Sequence, residues 1–231
     1  HDDVLAPHAL AMVALAVRER PETDLVYSDE DKIDASGRRF DPHFKTDWNP
    51  ELLLGKNFIS HLGVYRTALL KQIGGFRAGM EGSQDYDLAL RFIEKTQPER
   101  ILHLPQILYH WRAIPGSVAF SEEEKTYAHE RAREAIAQSF KRQGQSARVE
   151  NGFGFMHRVR LELPDSPPPV SVIIPTRDRR DLLETIAEGV RFATDYPHIE
   201  LIVVDNQSTA PDTLDYFRVL KQDPRVRILR Y

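Results

Sequence analysis

Five polar clusters in this sequence could do chemistry. Asp2 and Asp3 stand ahead of Pro7 at the head of the chain. Glu81, Asp85 and Asp87 lie in GMEGSQDYDLALR, and His110 and Arg112 close YHWR. Pro175-Thr176-Arg177 and Asp205-Asn206-Gln207-Ser208 each follow an apolar run. Paired carboxylates can hold a hard divalent cation, or they can do no more than compensate a helix dipole. A single positioned carboxylate can take the proton of a reacting hydroxyl. Imidazole ligates metals, and guanidinium clamps phosphate through two parallel bonds. By residue type alone, every cluster keeps a structural alternative.

Other chemistries are excluded. The chain has no cysteine, so disulfides and thiolate zinc sites are impossible. Its nine histidines form no HExxH pattern, and neither GxGxxG nor GxxxxGK[ST] occurs. A net charge of −4 removes the electrostatic case for general nucleic-acid binding. The longest apolar run, Ala9–Val17, is far shorter than the roughly 20 residues of a bilayer span.

The elements that must position these clusters are legible from periodicity. Leu10, Val13, Ala14 and Val17 predict an amphipathic helix over Pro7–Glu19. Asp24–Asp29 and Phe58–Arg66 read as strands, with a turn at Gly37–Arg38 between them. A short helix follows and stops at Gly74–Gly75. Ser83 is placed to cap a helix with an inward stripe of Tyr86, Ala89, Leu90 and Ile93. ILHLPQILYHW reads as a strand interrupted at Pro105. Ser121 and Glu124 form a capping box for a long helix ended by Gly144, with Ala128, Ala132, Ala135 and Phe140 inward. Residues 145–169 read as a hairpin and a stiff proline linker.

After the linker the pattern changes. VSVIIP is apolar at nearly every position and predicts a strand buried on both faces. A helix with Leu183, Ile186 and Val190 inward follows, then IELIVVDN, the helix Pro211–Leu220 and VRILRY. Strand–helix–strand–helix–strand at this spacing is a parallel α/β unit. Ligands of such sheets bind at the carboxyl ends of the strands, where Thr176, Arg177, Asp205 and Ser208 lie.

At these strand ends the sequence resembles the opening of a family 2 glycosyltransferase domain. VSVIIPTRDR is similar to that family's first strand and loop, and IELIVVDNQST to its second strand. HDDVLAP resembles the tail of the family's acidic metal motif, GGFRAGMEGSQDYDLALR its acceptor-side acidic motif, and HLPQILYHWR the strand that closes the site. The resemblance implies an α/β, three-layer, Rossmann-like GT-A fold of nucleotide-diphospho-sugar transferases, incomplete or circularly permuted. It divides the chain into residues 1–144, the C-terminal half of a first domain with a trailing helix, a linker at 145–169, and residues 170–231, the nucleotide-binding half of a second domain. The two halves are expected to pack as one permuted domain, within a chain or by swapping in a dimer.

The implied activity is metal-dependent, inverting transfer of a sugar from a nucleotide diphosphate to a saccharide or lipid-linked saccharide acceptor, in bacterial surface polysaccharide synthesis. On that resemblance Pro175, Thr176, Arg177, Asp205, Asn206 and Ser208 bind the nucleotide. Asp2 and Asp3 hold Mg²⁺ or Mn²⁺, which neutralises the leaving diphosphate. Asp85, with Glu81 beside it, is the base, while Asp87 reads better as dipole compensation. His110 and Arg112 serve the diphosphate or the metal, and RAIPGSVA reads as a closing loop hinged at Gly116-Ser117. Trp48, Asn57 and His61 have the residue types of an acceptor wall. The expected location is cytoplasmic, at the inner face of the membrane. Competing readings are an inactive nucleotide- or sugar-binding fragment and another nucleotide-dependent transferase. The absence of glycine from PTRDRRD disfavours the latter.

Overall fold

The computed structural model describes residues 3–113 and 122–231, the side chains of 122–126 apart. The chain divides into two compact units, one running to Glu162 and one over Leu163–Tyr231. Among the described residues no helix is long and apolar enough to cross a membrane.

The first unit is a mixed α/β layer. Its elements are β1 (Val4–Leu5), α1 (Ala9–Glu19), β2 (Leu25–Ile33), β3 (Arg39–His43), α2 (Pro50–Gly55), β4 (Gly63–Tyr65), α3 (Thr67–Gln72), α4 (Gln84–Ile93), β5 (Ile101–Arg112), α5 (Glu122–Arg142), β6 (Ala147–Asn151) and β7 (His157–Leu161). The sheet runs β1-β5-β2-β3, and β4 pairs with the start of β2. β2 and β5 are parallel; the other pairs in this sheet are antiparallel. Leu25, Tyr27, Phe58, Leu90, Phe92 and Ile136 anchor the main core.

Several local expectations are corrected. α1 buries Ala9 and Ala16, with Met12 packed against Leu108, and leaves Leu10 and Val17 outside. Both stripes obey the helical period, and the alanine stripe permits the closer approach. β2 continues four residues past Asp29, because basic and histidine neighbours take up its acidic run. The strand expected at Phe58–Arg66 shortens to β4, and 57–61 forms a loop with Ser60 at φ 37°. The interruption expected at Pro105 is there as a bulge within β5: the register moves from Ser28↔Leu104 to Asp29↔Ile107, which absorbs the missing N–H. Ser83 stands at the N-cap of α4, but its hydroxyl donates to Ala128 O of α5 at 2.7 Å. The element α2 was not read from periodicity; Asn49 caps it by accepting from Leu52 N, with Pro50 in its first turn. The capping box Ser121–Glu124 and the loop 114–119 lie outside the described residues. The hairpin β6–β7 packs Ala147, Val149 and Val159 on the first unit's core, so it belongs to that unit and not to a linker.

The second unit is the expected parallel repeat: β8 (Val170–Thr176), α6 (Arg180–Glu188), β9 (Ile199–Asp205), α7 (Pro211–Leu220) and β10 (Val226–Arg230), in sheet order β10-β9-β8. Helices cover one face, where Ile174, Leu183, Ala187, Leu201, Val203 and Phe217 pack. VSVIIP is not buried on both faces, since Ile173 is 64% exposed. Ile186 also faces out, and Ala187 takes its place inward. Strands β8–β10 pair only with one another among the described residues.

Candidate active site

The parallel pairing of β2 with β5 sets Glu30 beside Tyr109, Asp31 beside His110 and Lys32 beside Trp111. Neighbouring strand residues face opposite ways, so two polar clusters form. In one, Asp31 accepts from His110 Nδ1 at 2.5 Å and from Arg39 Nε at 2.6 Å. A carboxylate on Nδ1 fixes the ring and presents Nε2, as partners of metal-bound imidazoles do. Asp3 sits close by on the neighbouring chain segment. Its oxygens accept from Tyr109 Oη at 2.5 Å and Arg112 N at 2.8 Å. Asp2 lies outside the described residues. Among the described residues no group of three or more His, Asp or Glu side chains is arranged to hold a metal.

In the second cluster, Glu30 accepts from His61 N at 3.0 Å, and the His61 and His43 Nδ1 atoms lie 3.2 and 3.5 Å from its oxygens. Buried Lys45 places Nζ 3.6 Å from the same carboxylate and donates to Ile59 O and His61 O. Burial alone would raise the Glu30 pKa, but the bonds from His43 and His61 and the Lys45 charge hold it well below the usual carboxylate range. Burial pushes the Lys45 ammonium down to about 8, against the pull of Glu30. His61 also stacks on Tyr109, with ring centroids 4.6 Å apart.

Asp85 occupies the first turn of α4. Its Oδ1 accepts from Tyr86 N at 2.8 Å and its Oδ2 from Asn57 Nδ2 at 2.9 Å. Asn57 opens the tight loop that ends on His61, so one five-residue segment joins Asp85 to the Glu30 cluster. Glu81 is exposed, and its carboxylate accepts from Gly79 N at 3.0 Å. That bond lowers its pKa and makes it a poorer base. Asp87 is structural: buried, it binds Arg77 on one oxygen and Arg91 on the other, while Arg91 donates on to Ile73 O and Gly75 O.

In the second unit the carboxyl ends of β8 and β9 form a compact turn. Asp205 is buried and accepts from Ser208 N at 2.8 Å; Ser208 Oγ accepts from Asp178 N at 3.1 Å. Asn206 N donates to Thr176 O at 2.9 Å. Thr176 is buried, whereas Pro175, Arg177 and Asn206 are exposed at the rim. Asp178 accepts from Ala210 N and Thr209 N, both at 2.7 Å, which lowers its pKa and closes the N-terminus of α7. Asp178, Glu30, His43 and Lys45 were not singled out from sequence. Glu30 lies in the consecutive acidic run Asp29-Glu30-Asp31, and nothing local pointed to His43 or Lys45, which reach it from other elements.

Residues 171–231 match glycosyl transferase family 2. The whole chain is 46% identical to the uncharacterized protein y4gI of Sinorhizobium fredii, of which it covers 26%. Over 97% of its length it is 41% identical to the O-antigen biosynthesis protein RfbC of Myxococcus xanthus, of which it covers 17%. The chain thus spans about a quarter or less of these curated relatives.

Proposed function

We propose, from the premise that residues 171–231 belong to glycosyl transferase family 2, that the protein transfers a sugar from a nucleotide-diphosphate donor to a saccharide acceptor in surface polysaccharide synthesis. The observation that supports this reading most is Asp85, a carboxylate at a helix N-terminus oriented by Asn57 and Tyr86 N. In the reaction the acceptor hydroxyl attacks the anomeric carbon and its proton passes to Asp85. The new carbon–oxygen bond forms as the bond to the diphosphate breaks, from the opposite face, so the configuration inverts.

The donor nucleotide is assigned to the second unit's type of strand ends, Pro175–Arg177 and Asp205–Ser208. Asp205 is held by Ser208, and Arg177 lies at the exposed rim, suited to a diphosphate. In the first unit, His110 Nε2 with Asp3 and Asp2 is suited in kind to Mg²⁺ or Mn²⁺, because Asp31 orients His110. Such a cation would neutralise charge on the leaving diphosphate. The two units are read as the acceptor-side half of one transferase domain and the nucleotide-binding half of the next. The greater length of the relatives supports that reading.

The test is a screen of UDP-, GDP- and dTDP-sugars with Mn²⁺ on the full-length protein, reading product by mass. Transfer from one donor class supports the reading. Donor hydrolysis or binding with no transfer to any saccharide overturns it.

A further inference from the structure

β2, β3 and the end of β5 enclose a cleft of about 290 Å³ lined by Glu30, Asp31, Lys32, Asp41, His43 and Trp111. We propose that this cleft binds one uncharged sugar ring of the acceptor chain, a residue beyond the one being glycosylated. The proposal rests on the glycosyltransferase reading and specifies its acceptor.

Size is the first argument. Ligand pockets start at roughly 300 Å³, so this cleft suits a single ring rather than a nucleotide sugar. Charge is the second. Glu30 and Asp41 bring carboxylates to the cleft against the single ammonium of Lys32, which Asp41 already binds at 2.7 Å, while the Asp31 carboxylate turns to the other face of the strand, toward His110. The other cations near them are committed: Arg39 to Asp31, and Lys45, fully buried, to two carbonyls and Glu30. A phosphate or uronate would meet two carboxylates, whereas neutral hydroxyls can donate to them. Shape is the third. Trp111 supplies an aromatic wall, with Lys32 Nζ 5.6 Å from its ring centroid. Indole faces stack on the C–H faces of pyranose rings as they do on other flat apolar surfaces.

The cleft is also preorganised and connected to the chemistry. Glu30 is pinned by His61, His43 and Lys45 before any ligand arrives. The Asp34 carboxylate accepts from Ser36 N and Arg38 N and fixes the turn between β2 and β3. Trp111 is the immediate neighbour of His110, and the loop carrying His61 starts at Asn57, the partner of Asp85. The loop from Asn57 to His61 thus ties the Asp85 carboxylate to the Glu30 wall of the cleft.

The experiment has a binding arm and a transfer arm, both on the full-length protein. Within this segment only Trp48 and Trp111 contribute indole emission. Manno-, gluco- and galacto-tetraoses are titrated against tetragalacturonate, following fluorescence in parent, Trp48→Phe and Trp111→Phe proteins. A neutral tetraose should give a signal that survives Trp48→Phe and is lost in Trp111→Phe, with tetragalacturonate at least about tenfold weaker. In transfer, His43→Ala and Asp41→Ala should raise the KM of a tetraose about tenfold relative to that of the matching methyl glycoside, the loss of one or two hydrogen bonds. A signal carried by Trp48, tighter binding of the uronate, or an unchanged KM ratio overturns the proposal. Trp111-dependent sugar binding in a protein that transfers from no donor upholds the cleft and overturns the transferase reading instead.

Discussion

Asn57 Nδ2 donates to Asp85 Oδ2 at 2.9 Å across 28 residues of sequence. The bond aims the carboxylate and ties the first turn of α4 to the loop that carries His61. Removing the carboxylate should be far worse than removing its holder. Asp85→Asn is expected to lower kcat by about 10²–10⁴-fold with donor affinity retained. Asn57→Ala is expected to cost about tenfold, through orientation alone. Steady-state kinetics and donor titration on the full-length protein check both, and an Asp85→Asn protein of full activity refutes the base assignment.

Asp87, two residues on, should behave in the opposite way. Its side chain is 1% exposed and neutralises two arginines from different parts of the unit. Asp87→Ala is expected to destabilise the first unit by about 3 kcal/mol, because it leaves buried Arg91 and partly exposed Arg77 without their carboxylate. Urea unfolding reads this, with Asp85→Asn as the neighbouring control expected to shift stability by less than about 1 kcal/mol.

His157 makes stability depend on acid. It stacks on Tyr86 and meets His129 edge-on, and its Nδ1 is buried without a hydrogen-bond partner. Burial, with the nearby His129 and Arg133, pulls its pKa from 6.5 down to about 4. The unfolded chain therefore takes up a proton first as the pH falls. The stabilising contribution is complete above about pH 6.5 and is lost as the pH falls toward 4, by roughly 2–3 kcal/mol. Denaturant melts at pH 7, 5.5 and 4.5 should show the slope, and His157→Phe should flatten it.

The bare face of the second unit's sheet gives a simpler test. Ile173 is 64% exposed, although its register partner Ile202 is buried. Ile173→Glu should change stability by no more than about 0.5 kcal/mol and should reduce binding of an apolar dye. A loss of several kcal/mol would show that this face is covered in the protein.

Much of the fold was readable because it depends on short-range periodicity. The parallel repeat β8–α6–β9–α7–β10 stands where apolar runs and helical spacing put it. α4 begins beside Ser83, and Gly74, Gly75 and Gly144 all take positive φ after their helices. The errors came where two patterns fit equally well or where a neighbour supplied the deciding contact. α1 had two helical stripes one residue apart, and packing against Leu108 chose the alanines. Ser83 carried a cap's signature, but the carbonyl of Ala128 claimed its hydroxyl.

The candidate site divides in the same way. The sequence by itself determined which residues could do chemistry: Asp85, His110, Asp3, and the polar ends of β8 and β9. It also determined the strands and helices that carry them, because residue type and local period suffice for both. Only the tertiary structure decided what each one does. It made Asp87 a hub for two arginines, gave Asp85 an amide partner, and gathered His43, Lys45 and His61 around Glu30. Those partners lie 13 to 31 residues away from Glu30, and no local signal encodes a contact that exists only once separate elements have packed together.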